Sequence, residues 1–166
     1  MKIGGHGLRE HLRLLWPLLV FIAAVWLLRL VVAAAGLSRP LVQVASVTGA
    51  AALSVLVAVV MMHFKGFGGY VNVVVTSFTI LTFAHLLIVL AILFSVAFGG
   101  DNVFTRPEYS LPTEDAYHLR HILGHLTFGV GAGTVFGAAA GCLLLWLLRT
   151  LVPNRIDRAA ENTPAE

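Results

Sequence analysis

Three histidines lie within eight residues of the segment TEDAYHLRHILGHLTFG, which runs from Thr113 to Gly129. Imidazole nitrogens bind divalent metals and haem iron, and they exchange protons near neutral pH. If the segment is helical, one face carries four polar residues spaced four, three and four apart, namely Glu114, His118, His121 and His125. The outermost two histidines are about 10 Å apart along a helix axis, so at most two of the three can bind one ion.

Two kinds of cofactor site are therefore open. A divalent metal would use His121 and His125, or Glu114 and His118, with a further ligand from another element. Haem b would need a histidine on a facing helix, as in four-helix membrane cytochromes, and His85 with His125 is the candidate pair. His85 is expected roughly 15–20 Å below the membrane surface and His125 roughly 6 Å below it, and this offset disfavours the pair. The remaining alternative is a polar helix face that contacts a loop or a partner protein.

The composition predicts that these side chains lie in a membrane protein. The chain is 58% hydrophobic, its mean hydropathy is +0.90, and 11% of its residues are charged, against about 25% in soluble domains. Apolar runs of about 20 residues can cross the bilayer as helices. Four such runs occur, at about 14–35, 41–62, 70–98 and 121–152. We therefore expect an all-α, polytopic protein with four transmembrane helices in an up-down bundle that fills residues 1–152.

The placement of basic residues predicts the orientation of this bundle. Seven fall on the side of the two termini (Lys2, Arg9, Arg13, Lys65, Arg149, Arg155 and Arg158), and four fall on the other side (Arg29, Arg39, Arg106 and Arg120). Both termini are therefore expected in the cytoplasm of a bacterium, with the protein in its cytoplasmic membrane. The loop 99–120 is expected outside and folded over the helix ends, because it contains apolar residues. The tail 153–166 and the N-terminal sequence GGHG are expected to be flexible.

Small residues recur every four positions on two of the helices. The fourth contains Gly129, Gly133, Gly137 and Gly141, and the second contains Ser46, Ala50, Ser54 and Ala58. Close packing of membrane helices depends on small residues. These two faces are expected either to pack the four helices together or to contact a partner subunit, a lipid or a flat cofactor.

Charged residues are rare inside the four runs. No carboxylate occurs between Glu10 and Asp101 or between Asp115 and Asp157, which disfavours a proton- or sodium-coupled carrier. Arg29 is the exception, and we expect it either to extend to the head groups or to form an ion pair with an outer-loop acid, most simply Glu114.

These patterns favour a non-catalytic accessory or structural subunit of a larger membrane complex, which associates through the glycine face and the outer loop. Its partners would be membrane lipid and either other subunits or further copies of itself. The alternative is a membrane redox protein that binds haem b or a metal through histidines, and the third is a small channel or carrier. The net charge of +3 is spread along the chain and does not indicate nucleic-acid binding.

Overall fold

The computed structural model describes residues 2–106 and 117–152, with side chains from residue 119 onward in the second segment. The expected tail 153–166, most of the second half of the outer loop and Glu114 lie outside the described residues. The elements, in chain order, are β1 (Lys2–Ile3), β2 (His6–Gly7), α1 (Leu8–Ala34), α2 (Arg39–Val44), α3 (Val47–Lys65), α4 (Tyr70–Phe98), α5 (Tyr117–Gly124), a π-helical turn (His125–Gly129) and α6 (Val130–Leu151).

The prediction of an all-α protein with four apolar helices is confirmed. Within the described residues, four helical segments are long and apolar enough to cross a membrane: Leu8–Ala34, Arg39–Lys65, Tyr70–Phe98 and Leu119–Leu151. The first begins six residues before the predicted run, because the polar residues that precede Leu14 continue the same helix. A protein with these four helices is consistent with a multi-pass membrane protein.

Local sequence signals set where the helices start and stop. The second apolar run is divided at Ala45 into α2 and α3, because the side chain of Ser46 caps the new helix by accepting a hydrogen bond from the backbone N–H of Gly49 at 3.1 Å. Helices α3 and α4 end at Gly66 and Gly99, whose φ values of 61° and 69° lie in the left-handed region that glycine adopts without strain.

Helices α3 and α4 form the centre of the bundle. They pack on each other, and α1 and α6 each pack against both of them. The buried side chains where α1, α3 and α4 meet include Leu15, Ile22, Val55 and Ile80. This arrangement buries the middle of α3 and α4 and leaves one long face of α1 and one of α6 exposed.

The end of the bundle at which α1 begins and α6 ends, called here the hairpin end, is covered by the β1–β2 hairpin. Asn72 on α4 donates a hydrogen bond to the carbonyl of Gly4 at 3.1 Å, and its Oδ1 is 3.0 Å from Nε2 of His11. The ring of His6 stacks on Phe67 with centroids 3.9 Å apart. The N-terminal GGHG sequence is therefore a folded hairpin, and the expectation of flexibility was wrong.

The opposite end, called here the loop end, is covered by residues 99–106. Asn102 holds this loop against α4, because its Nδ2 donates to the carbonyl of Ala91 at 2.6 Å and its Oδ1 accepts from the N–H of Phe104 at 2.9 Å. The side chains of Val103 and Phe104 are buried. The described part of the loop is therefore packed against the ends of the helices.

Candidate functional site

Three histidines from two helical segments form a continuous chain at the loop end. Nδ1 of His85 on α4 is 2.9 Å from Nδ1 of His125, and Nε2 of His125 is 3.1 Å from Nε2 of His121. The neighbouring ring centroids are 5.1 and 4.8 Å apart. His85 is buried and the other two are half-buried. The rings of His85 and His125 are thus in contact, and the large depth offset expected between them was wrong.

The π-helical turn His125–Gly129 positions the middle ring of this chain. A π turn is wider than an α turn and is often found at functional sites. The same turn ends at Gly129, which lies directly against the ring of His85. A Cβ atom at Gly129 would be 2.6 Å from Cε1 of that ring, a distance that real Cβ atoms do not show. Glycine at this position is therefore what allows His85 to approach His125.

The chain of rings has a direction set by its protons. A neutral imidazole donates from one nitrogen and accepts at the other. His125 uses both nitrogens within the chain, so when all three rings are neutral only one terminal ring can donate to a group outside it. With one additional proton, the rings at both ends, His85 and His121, become donors. The number of N–H donors at the ends of the chain therefore depends on its protonation.

The histidine chain lines a pocket of about 550 Å³. Two further basic residues, Arg29 on α1 and Arg120 on α5, contribute to the same wall, and the apolar part includes Phe104 and Phe128. The guanidinium carbon of Arg29 lies 5.3 Å from the centroid of the Phe104 ring, within the range of a cation–π interaction. Among the described residues, no carboxylate lines this pocket. We call it the histidine pocket.

The glycine face of the fourth predicted transmembrane segment lies on the π-helical turn and α6, and it packs against α4 of the same chain in a regular register. The four contacts pair Gly129 with His85, Gly133 with Leu81, Gly137 with Ser77 and Gly141 with Val73. Each step of four residues forward along the glycine face is a step of four residues back along α4, so the two helices run antiparallel. The absence of a side chain at Gly129, Gly133 and Gly141 therefore permits this close approach, because a Cβ atom at each would lie less than 3.0 Å from a side chain of α4.

The small residues of the second predicted run have two different positions. Ser46 caps α3, as described above, whereas Ala50, Ser54 and Ala58 are buried in the bundle. The hydroxyl of Ser54 is buried with no hydrogen-bond partner among the described residues. This face is thus part of the interior of the bundle.

The predicted metal ligands are brought together only in part. His121 and His125 are adjacent, while Glu114 and the side chain of His118 lie outside the described residues. No group of three or more His, Cys, Asp or Glu side chains in the described ranges is arranged to hold a metal ion. Two nitrogens bound to one tetrahedral zinc ion are about 3.3 Å apart, so the 3.1 Å pair fits a metal as two of its ligands after a small movement.

The predicted pair His85 and His125 fits haem b less well than His121 and His125 fit a metal ion. Two axial nitrogens on opposite sides of one iron are about 4 Å apart. Nδ1 of His85 and Nδ1 of His125 are in direct contact at 2.9 Å, and His125 is bonded to His121 on its other side. The arrangement therefore does not fit bis-histidine haem, because the two rings would have to separate. The predicted ion pair of Arg29 with Glu114 falls outside the described residues and stays a prediction.

Several pocket residues were not identified from the sequence. Arg120 was counted only for orientation, and Thr48 and Phe128 gave no signal, because their approach to the histidines depends on the packing of α3 against α6. His11 and His63 were also missed as structural residues. His11 connects Gly7 to Asn72, and Nε2 of His63 is 2.7 Å from the carbonyl of Val152. Comparison of the chain with protein-family models, curated proteins and solved structures finds no match.

Proposed function

We propose that this protein binds the phosphate-bearing head group of a membrane lipid in the histidine pocket and catalyses no covalent step. The observation that carries the proposal is the lining of the pocket: two guanidinium groups and three connected imidazoles line a cavity whose other lining residues, apart from Thr48, are apolar or glycine. A free anion would not need the apolar walls, and an uncharged lipid would not need the basic residues.

The chemistry of the lining suits a phosphate monoester. Arginine binds phosphate oxygens through paired N–H groups, and such charge-assisted bonds are stronger than those between neutral groups. Arg120 is exposed at the rim, so it is placed to meet the head group first. The histidine chain can supply a further N–H donor from His121 to the phosphate. The rings of Phe104 and Phe128 are suited to contact the glycerol and the first carbons of the tails.

The expected membrane topology supports this assignment. With both termini in the cytoplasm, the loop end and the histidine pocket would face the outer leaflet of a bacterial cytoplasmic membrane. Labelling with a membrane-impermeant maleimide tests this in whole cells, with Cys142 replaced by Ser. A cysteine at Ser38 should react from outside and one at Lys2 should not, and the reverse pattern would contradict the proposed orientation.

The binding test compares two soluble lipids that differ only in the phosphate. Dioctanoyl phosphatidic acid is expected to raise the unfolding temperature of the detergent-purified protein, and dioctanoylglycerol is not. Arg120→Gln should weaken binding of the phosphatidic acid, because a hydrogen bond to a charged group contributes about 1.5–3 kcal/mol. Arg13→Gln is the matched control, since Arg13 is an exposed residue of α1 at the hairpin end. Equal binding of both lipids, or equal effects of both substitutions, would refute the proposal.

Divalent metal binding by His121 and His125 is the second candidate, and it is favoured by the 3.1 Å spacing of their Nε2 atoms. Elemental analysis of protein purified without chelators tests whether the metal site exists. One metal ion per chain, lost in His121→Ala, would support the metal site. A metal content that His121→Ala leaves unchanged would exclude it.

The role as an accessory subunit of a larger complex also remains a proposal. Since the glycine face contacts α4, a partner would contact the opposite, exposed face of α6, which includes Val135, Phe136 and Leu143. Purification in a mild detergent tests the association. A partner that is retained by the native chain and lost in Phe136→Ala would support it, and a chain that purifies alone would argue against it.

A further inference from the structure

A second cavity of about 450 Å³ lies between α1 and α4 beneath the covering loop. Its α1 and α4 walls are apolar and include Trp26, Leu30, Leu90 and Phe94. On the loop side it is lined by Val103 and by the polar residues Asp101, Asn102 and Arg106. Only Val103 is shared with the histidine pocket among the described residues. The volume is within the range of about 300–1,000 Å³ that is typical of small-molecule sites. We call it the tryptophan cavity.

One polar atom in this apolar wall lacks a partner. The indole N–H of Trp26 is buried and has no hydrogen-bond acceptor among the described residues. A buried donor without an acceptor is unfavourable, so indole N–H groups in proteins are usually paired. A water molecule would need two to four polar partners to be stable here, and the apolar walls do not supply them. A bound molecule with an apolar body and one acceptor oxygen would satisfy the donor.

The depth of Trp26 restricts the kind of acceptor. It lies eight residues before the end of α1, which corresponds to about 12 Å along the helix axis. The ester carbonyls of membrane lipids remain near the interface, whereas this donor is within the apolar part of the helix. An oxygen that reaches this depth must belong to a molecule whose polar group enters the hydrocarbon layer. A ring carbonyl on an alkylated quinone has this property, and the aromatic rings of Trp26 and Phe94 suit a planar ring.

We propose that the tryptophan cavity binds a lipid-soluble quinone, whose ring carbonyl accepts a hydrogen bond from the indole N–H of Trp26. The alkyl tail extends along the exposed faces of α1 and α4 into the bilayer. This site is separate from the histidine pocket and does not depend on lipid phosphate binding there. It requires no electron transfer by the protein, because the interaction described is binding alone.

Tryptophan fluorescence tests the proposal directly, since quinones quench nearby indoles. The chain has three tryptophans, so the double variant Trp16→Phe with Trp146→Phe reports on Trp26 alone. Titration of this variant in detergent with decylubiquinone should quench its fluorescence with a saturable curve. The matched control keeps Trp16, which is 66% exposed at the hairpin end, by combining Trp26→Phe with Trp146→Phe. Its quenching should rise linearly with the quinone that partitions into the micelle.

Two further measurements separate specific binding from partition. Trp26→Phe keeps an aromatic ring and removes the donor, so equilibrium dialysis should show affinity for decylubiquinone reduced by about five-fold, as expected for one neutral hydrogen bond. Ala34→Phe places a ring at an exposed position of the cavity wall, where it obstructs entry without entering the core, and should abolish saturable quenching. Linear quenching of Trp26, equal affinity of Trp26→Phe, or unchanged binding in Ala34→Phe would overturn the proposal.

Discussion

Substitution of the glycines of α6 by alanine should raise or lower the free energy of unfolding, depending on what each glycine contacts. A Cβ atom at Gly141 would lie 2.7 Å from Cγ1 of Val73 and 3.1 Å from Cγ2 of Val59. Both valines are fully buried, and their branched side chains have little rotational freedom. They belong to α4 and α3, so α6 must move away from two helices to accept one methyl group.

The size of the effect follows from two opposing contributions. Overpacking of a core costs about 1–3 kcal/mol, and alanine favours a helix over glycine by about 1 kcal/mol. Gly141→Ala should therefore lower the free energy of unfolding by up to about 2 kcal/mol. At Gly131, a Cβ atom has no neighbour within 4 Å, so Gly131→Ala keeps only the favourable helical contribution. Gly137→Ala should also keep the favourable helical contribution, because its nearest contact, with Ser77, is at an ordinary van der Waals distance of 3.6 Å.

Thermal unfolding of the purified variants in one detergent provides the assay. For a chain of this size, 1 kcal/mol corresponds to a change in Tm of about 2–4 °C. Gly131→Ala and Gly141→Ala differ by the overpacking cost of about 1–3 kcal/mol, so their Tm values should differ by about 2–12 °C, with Gly137→Ala close to Gly131→Ala. Equal Tm values for the three variants, or a higher Tm for Gly141→Ala than for Gly131→Ala, would show that α4 does not lie against this face.

Three further substitutions test other contacts. Asn72→Leu removes the hydrogen bonds that hold the hairpin, so it should speed proteolytic cleavage near the N-terminus and lower the free energy of unfolding by about 1–3 kcal/mol. Unchanged cleavage would mean that the hairpin is held by other contacts. His125→Leu leaves the buried His85 without its ring partner, so it should lower Tm. The control Thr127→Leu, at an exposed site of the same turn, should lower Tm less, and equal Tm values for the two variants would refute the histidine chain. Asn102→Ala should speed amide hydrogen exchange in residues 101–106, because it releases the loop from α4; unchanged exchange would contradict this anchor.

The four long helices could be predicted from the sequence because their signal is local. An apolar run of sufficient length forms a helix in lipid whatever its neighbours are, so the run 70–98 matches α4 at both ends. The division of the second run was not predicted, since one capping serine within an apolar segment is a weak signal. The π-helical turn was not predicted either, because 125–129 lies within an otherwise regular helical pattern.

The site was predictable only for the side chains that belong to one segment. The proximity of His121 and His125 follows from their spacing of four residues. The contact of His125 with His85 depends on how close α4 and α6 approach, which the absence of a side chain at Gly129 permits. The hairpin end shows the same limitation, because GGHG has the composition of a flexible segment and is ordered by Asn72, 68 residues away from Gly4 along the chain.

The π-helical turn makes the packing of the glycines against α4 independent of the direction in which His121 and Arg120 point. It contains one more residue than the α-helical turn it replaces. A single-residue deletion within 125–129 would therefore restore a regular helix without breaking it. The glycines beyond the turn could keep their register against α4, while His121 and Arg120 would rotate about the helix axis relative to the pocket. Changes in chain length at this one turn would thus reorient the polar residues of the pocket and preserve the packing of the bundle.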